Sequence, residues 1–196
     1  MHEETPIRFS DEFFSFIWET VKIVVLSLAI IVPIRYYLVQ PFFVKGSSMV
    51  PNFHDKDYIL VDKLSYRFDD FKRGDVIVFR YPKDPKDYFI KRVIGLPGET
   101  VQVKGNKVTI YNIDNPAGEI LEEAYLADYQ RTDGNKVWKL DDNEFFVLGD
   151  NRLQSSDSRS WDALNRSFIA GRAWIRLWPF NVITKIQRVT YPDAGN

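Results

Sequence analysis

The sequence predicts an all-β domain that follows a single membrane-spanning helix. An uncharged apolar run extends from Ile23 to Ile34, near the N-terminus. From about residue 56 onward, apolar and polar residues alternate with the period of two that is typical of strands. The turn sequence Lys-Gly-Asn-Lys at 104–107 joins two strand-like segments as a hairpin. The 196 residues are enough for one core with a small attachment.

The apolar run IVVLSLAIIVPI forms the centre of the predicted membrane helix. Aromatic residues flank it on both sides, as in the interfacial belts of membrane helices. They are Phe13, Phe14, Phe16 and Trp18 before it, and Tyr36, Tyr37, Phe42 and Phe43 after it. A helix from Trp18 to Val39 would rise about 33 Å, close to the hydrocarbon thickness of about 30 Å. We therefore predict an anchor over residues 18–39, with a buried core helix or a surface helix as alternatives.

A cleaved signal peptide is a further alternative for this segment, and the flanking residues argue against it. A signal peptide has a basic region before its apolar core and a small-residue cleavage site after it. Here the preceding region is acidic and no Ala-x-Ala follows. An uncleaved anchor is therefore favoured. Lysine and arginine are about equally frequent on the two sides, so charge does not decide the orientation.

The strand-like segments lie on both sides of a more polar stretch. They read YILVDKL, GDVIVFRYP, YFIKRVIGL, ETVQVKGNKVTIY, EFFVLGDN and RAWIRLWPF. Between about 108 and 142 the composition turns polar and acidic, which indicates a small inserted β subdomain. The predicted organisation is an N-terminal tail at 1–17, the anchor at 18–39, a β core at 40–107 and 143–185, the insertion at 108–142, and a C-terminal tail at 186–196.

The composition excludes several kinds of site. The absence of cysteine removes disulfides, thiolate zinc sites and cysteine nucleophiles. Only two histidines occur, which argues against a metal site built from several His ligands. The formal net charge of −1 gives no indication of a nucleic-acid partner. We expect no metal, no cofactor and no nucleic acid.

Two adjacent serines, Ser47 and Ser48 in VKGSSMVPNF, follow the apolar segment and raise the question of a nucleophile. A serine nucleophile needs a base. His54 lies in the polar stretch NFHDKD, which predicts a solvated loop residue. Lys91 lies in YFIKRVIGLPG, where neither face of the predicted strand is polar. If Lys91 is buried, its pKa falls and the neutral amine can accept a proton. Otherwise it extends to solvent at a sheet edge.

A third stretch, LGDNRLQSSDSRSWD at 148–162, concentrates charges and hydroxyl groups in a short turn. Its acidic and basic residues include Asp150, Arg152, Asp157 and Arg159. It is either a solvated loop with ion pairs or a support in which hydroxyls orient an amine and an Asp–Arg pair holds the loop rigid.

Three separated motifs, GSSMVPN, YFIKRVIGLPGE and GDNRLQSSDSR, together resemble those of bacterial type I signal peptidases. KRGDVIVFRYP, QPFFV before the serines and the closing GRAWIRLWPF also fit that family. The resemblance extends from about Trp18 to Phe180. It implies the family's β fold for the catalytic domain.

The resemblance also assigns roles. The serine immediately before Met is the nucleophile, so Ser48 rather than Ser47 is implied. Lys91 is implied as the general base, whose ammonium form later acts as the acid. The residues implied to orient or support the lysine are Ser155, Asp157, Arg159 and Asp150, with Asn151 beside them. Those implied to line the substrate pockets are Val44, Met49, Phe53, Phe89 and Ile90.

The chain departs from the family pattern near the nucleophile. Some members have a serine two residues before it, whose hydroxyl contributes to the oxyanion hole, whereas Gly46 occupies that position here. We therefore expect the oxyanion donors to be the backbone N–H of Ser48 and the backbone at Gly46. Asn52-Phe53 and Asp162 also differ from the usual residues, which bears on substrate fit.

The implied function is that of a membrane-bound serine endopeptidase that removes N-terminal signal peptides from exported precursor proteins. The expected location is the bacterial cytoplasmic membrane, with one span in membrane lipid and the catalytic domain facing outward. A self-cleaving repressor-type peptidase would need a DNA-binding helical domain in place of the anchor. A membrane-tethered β binding module would leave the serine, lysine and GDNR motifs unexplained.

Overall fold

The structure, a computed structural model, describes residues 9–33 and 38–191. The chain divides after Val39 into two compact units. The first contains one long helix and the second contains two β-sheets. This confirms the predicted fold class, an all-β domain preceded by one apolar helix.

Helix α1 extends from Phe9 to Pro33, and its stretch Glu12–Pro33 is long and apolar enough to cross a membrane. It begins earlier than the predicted anchor, because residues 9–17 are helical rather than a tail. Acidic side chains near the helix N-terminus are favourable there, and the aromatic residues that follow extend the apolar surface. At the other end of the predicted anchor, Val39 already belongs to a strand. Tyr36 and Tyr37, predicted for the second aromatic belt, lie outside the described residues.

Within residues 38–191 the structure has twelve strands and one short α-helix, α2. In chain order the strands are β1 Val39–Phe43, β2 Tyr58–Asp62, β3 Val76–Tyr81, β4 Asp84–Gly95, β5 Thr100–Lys104, β6 Lys107–Tyr111, β7 Glu119–Ile120, β8 Asn135–Lys139, β9 Glu144–Leu148, β10 Leu164–Asn165, β11 Ile169–Trp178 and β12 Thr184–Lys185; α2 is Ser158–Trp161. The main sheet has the order β1-β2-β11-β3-β4-β9-β10, with β12 paired to β11. Its long central strands are those with the clearest apolar runs in the sequence.

The small sheet has the order β7-β6-β5-β8. The predicted hairpin is present, because β5 and β6 pair antiparallel around Gly105 and Asn106, both with positive φ. Since β5 also pairs with β8, the sheet begins at Thr100, before the boundary predicted at residue 108. The period-two pattern of β5 is the same as that of a main-sheet strand, so the sequence alone did not separate them.

The C-terminal residues 186–191 pack against the domain, although they were predicted as part of a tail. Tyr191 is 4% exposed and belongs to the apolar cluster of the small sheet. Val189 packs against that cluster, and its carbonyl oxygen would lie 2.0 Å from a Cβ at Gly74. Because Gly74 has no side chain, the backbone at Val189 can pack directly against it.

Candidate active site

Ser48 and Lys91 lie together, with Ser48 Oγ 2.8 Å from Lys91 Nζ. Ser48 is in the loop between β1 and β2, and Lys91 is in β4. The lysine is only 3% exposed, and its Nζ also donates a hydrogen bond of 2.9 Å to the Ile90 carbonyl. The alternative in which Lys91 extends to solvent is therefore wrong.

Burial lowers the pKa of Lys91 from 10.5 to about 8, although the charges of Asp157 and Asp150 act in the opposite direction. Desolvation disfavours the ammonium form, and no carboxylate among the described residues forms a salt bridge with this amine to offset it. The ring of Phe89 lies 5.1 Å from Nζ. A substantial fraction of Lys91 is therefore neutral near physiological pH.

The neighbouring Ser47 and His54 occupy different surroundings. Ser47 is exposed, and its hydroxyl donates to the side chain of Gln154 at 3.3 Å. His54 is exposed in its loop, as the polar sequence around it predicts. Of the two serines, Ser48 is the one whose hydroxyl contacts the buried amine.

The turn after β9 holds the serine loop through backbone contacts. The backbone N–H of Asn151 donates to the Ser48 carbonyl at 3.0 Å, and its side chain donates to the Ser47 carbonyl at 3.1 Å. Asp150 forms a buried bidentate pair with Arg92, with distances of 2.9 and 2.6 Å. Because Arg92 follows Lys91 in β4, this pair connects the lysine strand to the turn after β9, and Asp150 also accepts a bond of 2.9 Å from Asn52 in the serine loop.

Asp157 and Arg159 form the expected ion pair, with bonds of 2.8 and 2.9 Å. Asp157 also accepts a bond of 3.2 Å from the Gly149 N–H and caps α2. The Ser155 hydroxyl is buried, but it makes no hydrogen bond within the described residues, so its expected bond to Lys91 is not formed. It lies instead beside Gly149, where a Cβ would be 2.2 Å from Ser155 Oγ.

Arg152 makes contacts that the sequence did not predict. Its guanidinium pairs with both carboxylate oxygens of Glu123, and it donates to the Tyr125 hydroxyl at 2.9 Å and the Gly149 carbonyl at 3.1 Å. Burial opposes its charge, but Tyr125 and Glu123 outweigh burial and raise its pKa. The segment before β8 thus contacts the turn after β9, which holds the serine loop. Glu123 and Arg152 are 29 positions apart in the chain, and no sequence pattern indicated this pair.

Of the two backbone groups predicted as oxyanion donors, one is already hydrogen-bonded. The backbone N–H of Gly46 donates to the Asp55 carboxylate at 2.8 Å, so it is already engaged. Gly46 has φ of +84°, a conformation that glycine adopts at little cost. The N–H of Ser48 makes no hydrogen bond within the part of the chain that the structure describes. It is therefore the available donor at this point in the loop.

A cleft of about 650 Å³ leads to Ser48 and Lys91. Val44, Phe89 and Ile90 line it, as predicted. Met49 and Phe53 do not line it, since both are buried in the apolar cluster beneath, at 1% and 3% exposure. Large side chains next to an interior cluster pack into it in preference to facing a cleft that is open to water.

Two strand edges border the cleft. β1 is at the end of the main sheet, and β4 pairs with β9 only from Arg92 onward. Within the described residues, the outer edge of β1 and the edge of β4 before Lys91 therefore have no strand partner. Residues 41–48 and 86–91 of these elements line the cleft. An extended peptide between them could form backbone hydrogen bonds to either edge.

Comparison with known proteins gives consistent matches. The family described as "Signal peptidase, peptidase S26" matches residues 17–178. A signal peptidase I of Leptolyngbya laminosa is 40% identical over 176 residues, covering 83% of this chain and 80% of that protein. A signal peptidase I of Bacillus amyloliquefaciens is 36% identical over 174 residues, covering 84% of this chain and 89% of that protein. A crystal structure of a signal peptidase I from Enterococcus faecalis aligns with a TM-score of 0.44 and 27% identity, over 52% of this chain and 95% of that one.

Proposed function

The chain belongs to the signal peptidase family, peptidase S26, and on this premise we propose that Ser48 is its nucleophile and neutral Lys91 its general base. The family removes signal peptides, so exported precursor proteins are the substrates. The observation that supports the two roles best is the 2.8 Å contact between Ser48 Oγ and the buried amine of Lys91. No second base of the described residues has such a contact with this serine.

The proposed reaction has two stages. Ser48 Oγ attacks the carbonyl carbon of the scissile peptide bond while Lys91 Nζ accepts the hydroxyl proton. The negative charge of the tetrahedral intermediate lies on the former carbonyl oxygen, which accepts a hydrogen bond from the Ser48 backbone N–H. Lys91 then gives its proton to the leaving amine, and the peptide bond breaks to leave an ester on Ser48. In the second stage the neutral amine takes a proton from water, the hydroxide hydrolyses the ester, and Ser48 regains its proton.

The substrate is proposed to bind as an extended strand between the free edges of β1 and β4. Backbone hydrogen bonds to the edges hold any sequence, and the side chains that face the cleft floor provide selectivity. Val44 and Ile90 form an apolar floor beside Ser48. A shallow apolar floor favours small uncharged residues next to the cleavage site, as in export signals.

Helix α1 is proposed to anchor the enzyme in the bacterial cytoplasmic membrane by a single span, in contact with lipid and with the β domain facing outward. The support is the apolar stretch Glu12–Pro33. A precursor is held in the same membrane by its own apolar segment, which raises the concentration of scissile bonds near the enzyme. Recovery of the protein in the soluble fraction after fractionation of fresh cells would contradict the anchor.

The test of the catalytic assignment compares two serine variants of the full chain in detergent, with a radiolabelled precursor as substrate. Ser48→Ala is expected to abolish cleavage, whereas Ser47→Ala is expected to keep most of it. The adjacent serine is a close control, because its exposed hydroxyl contacts Gln154 instead of the amine. Residual cleavage by Ser48→Ala, or equal loss in both variants with folding intact, would refute the assignment.

A further inference from the structure

Residues 186–191, which we call the strap, cross the domain from one apolar cluster to another. The strap follows β12 and forms neither helix nor strand. At its start, Ile186 packs against the cluster beneath the cleft, the one that contains Met49. At its end, Tyr191 is 4% exposed within the cluster of the small sheet. None of its residues lines the cleft, and the proposed reaction does not use it.

The strap ends on a hydroxyl that supports the turn after β9. The Tyr191 hydroxyl donates to the Tyr125 hydroxyl at 3.2 Å, and the two rings pack edge to face with centroids 6.4 Å apart. The Tyr125 hydroxyl donates to Glu123 at 2.8 Å and accepts from Arg152 at 2.9 Å. A tyrosine hydroxyl has one hydrogen to donate and two lone pairs to accept. The Tyr125 hydroxyl uses all three, and the bond from Tyr191 thus fixes it against Arg152.

Tyr125 in turn supports the loop that carries the nucleophile. Its partner Arg152 belongs to the turn after β9, next to Asn151. The backbone N–H of Asn151 donates to the Ser48 carbonyl at 3.0 Å. A second contact is direct, because the side-chain amide of Asn52 in the serine loop donates to the Tyr125 carbonyl at 3.2 Å. A displacement of Tyr125 therefore changes both supports of the serine loop.

The strap also reaches the strand of the general base. Arg92 follows Lys91 in β4, and its guanidinium lies over the Tyr125 ring, 4.4 Å from the ring centroid. The same guanidinium donates to the Gly74 carbonyl at 2.9 Å. The backbone at Val189, in the middle of the strap, packs against Gly74. Supports of the nucleophile and of the general base therefore both contact the strap.

We propose that the strap sets the distance between Ser48 and Lys91, and that Tyr191, acting through Tyr125, is its positioning residue. This rests on the proposed roles of Ser48 and Lys91. The two catalytic residues lie on different elements, so their contact depends on what holds the serine loop against β4. A displacement of about 1 Å at a reacting group can lower a rate by about a hundredfold. Because Tyr191 does not line the cleft, its loss should lower kcat and leave KM unchanged.

The experiment measures kcat and KM of the full chain in detergent on one precursor, above about pH 8, where Lys91 is largely neutral. Burial raises the pKa of Tyr191 to about 12, so its hydroxyl is still a donor at this pH. Tyr191→Phe removes the hydroxyl and keeps the ring. We expect kcat to fall by about fivefold or more, with KM within about twofold of wild type. Tyr191→Ala also removes the ring packing and should lower kcat further.

Tyr111→Phe is the matched control. Tyr111 also belongs to the small sheet, and its hydroxyl donates to Gln102 on the neighbouring strand at 3.0 Å rather than to a residue of the turn after β9. Each Phe variant therefore removes one tyrosine hydrogen bond from the same part of the domain. Urea unfolding should show a similar loss of stability for both, whereas only Tyr191→Phe should lose kcat. This comparison separates positioning from a general loss of stability.

A double-mutant cycle with Tyr125→Phe tests the route. Tyr125→Phe removes the hydroxyl that accepts the bond from Tyr191, so adding Tyr191→Phe to it should change kcat by less than about twofold. The proposal is overturned if Tyr191→Phe alone keeps kcat within about twofold of wild type, if Tyr111→Phe loses as much, or if the full effect persists in the Tyr125→Phe background. Failure of the catalytic assignment is a separate result, because it would appear as cleavage by Ser48→Ala.

Discussion

Replacing the buried Lys91 by methionine should make the protein more stable at neutral pH and less stable at high pH. In the folded protein the pKa of Lys91 is lowered from 10.5 to about 8, chiefly by burial. In the unfolded chain the lysine has its ordinary pKa of about 10.4. Between these two pH values the unfolded state binds more protons than the folded state. The free energy of unfolding therefore rises with pH across this window.

The size of the effect follows from the pKa difference. Lowering the pKa from 10.5 to about 8 corresponds to a cost of about 3 kcal/mol, at about 1.36 kcal/mol for each pH unit. That cost is fully present below about pH 8 and absent above pH 10.5. Methionine has a similar shape and no charge, but it leaves the Ile90 carbonyl without its hydrogen bond, which costs about 1 kcal/mol. We expect a net gain of about 2 kcal/mol at neutral pH and a loss of about 1 kcal/mol above pH 10.5.

The assay is urea unfolding of the full chain in detergent, followed by tryptophan fluorescence at neutral and at high pH. Both proteins carry Ser48→Ala, which prevents self-cleavage and removes the serine–lysine contact from the comparison. Lys104→Met is the matched control, since this lysine is exposed and should show no pH-dependent change. If Lys91→Met destabilised the protein equally at both pH values, a lowered pKa of Lys91 would be refuted.

Three further predictions concern catalysis. The cleavage rate should rise with pH to a plateau above about pH 8, because Lys91 must lose its proton before it can act as a base. Lys91→Arg should be inactive at every pH, because guanidinium stays charged. A pH–rate profile of both proteins measures this. Ser155→Ala should lower the rate without abolishing it, because this hydroxyl packs beside Gly149 and does not hydrogen-bond to the amine. Initial rates on one precursor measure this. Glu123→Gln should reduce kcat by about tenfold or more, because Arg152 loses its buried charged partner. Glu122→Gln changes an exposed neighbour and should not reduce it. A kcat of Glu123→Gln within about twofold of wild type would contradict the proposed link between the segment before β8 and the turn after β9.

Local pattern was enough to predict the strands and the hairpin. The alternation in β2, β5 and β6 is regular, and the glycine and asparagine at the turn have the positive φ that such turns require. The helix boundaries were less accurate, because aromatic residues beyond an apolar run suit both a continued helix and the start of a strand. Val39 and the residues after it illustrate this, since they form β1.

The pairs that hold the site together could not be predicted. The carboxylate partners of Arg92 and Arg152 are 58 and 29 residues away in sequence, and a single sequence gives no measure of such contacts. The same limit explains Met49 and Phe53. Their apolar character fits a pocket wall and a core equally well, and only the position of the cleft distinguishes the two.

The different behaviour of two adjacent buried cations explains why one residue of β4 is suited to act as a base. Lys91 and Arg92 are each 3% exposed, and the strand directs them to opposite faces. Burial opposes the charge of Arg92, but the hydrogen bonds and charge of Asp150 outweigh it and raise its pKa. Burial lowers the pKa of Lys91, because within the described residues its amine hydrogen-bonds only to a hydroxyl and a carbonyl, which do not compensate an ammonium group to the same extent. Asp150 on the Arg92 face thus connects β4 to the serine loop. No carboxylate of the described residues contacts the Lys91 amine, which leaves it free to accept a proton.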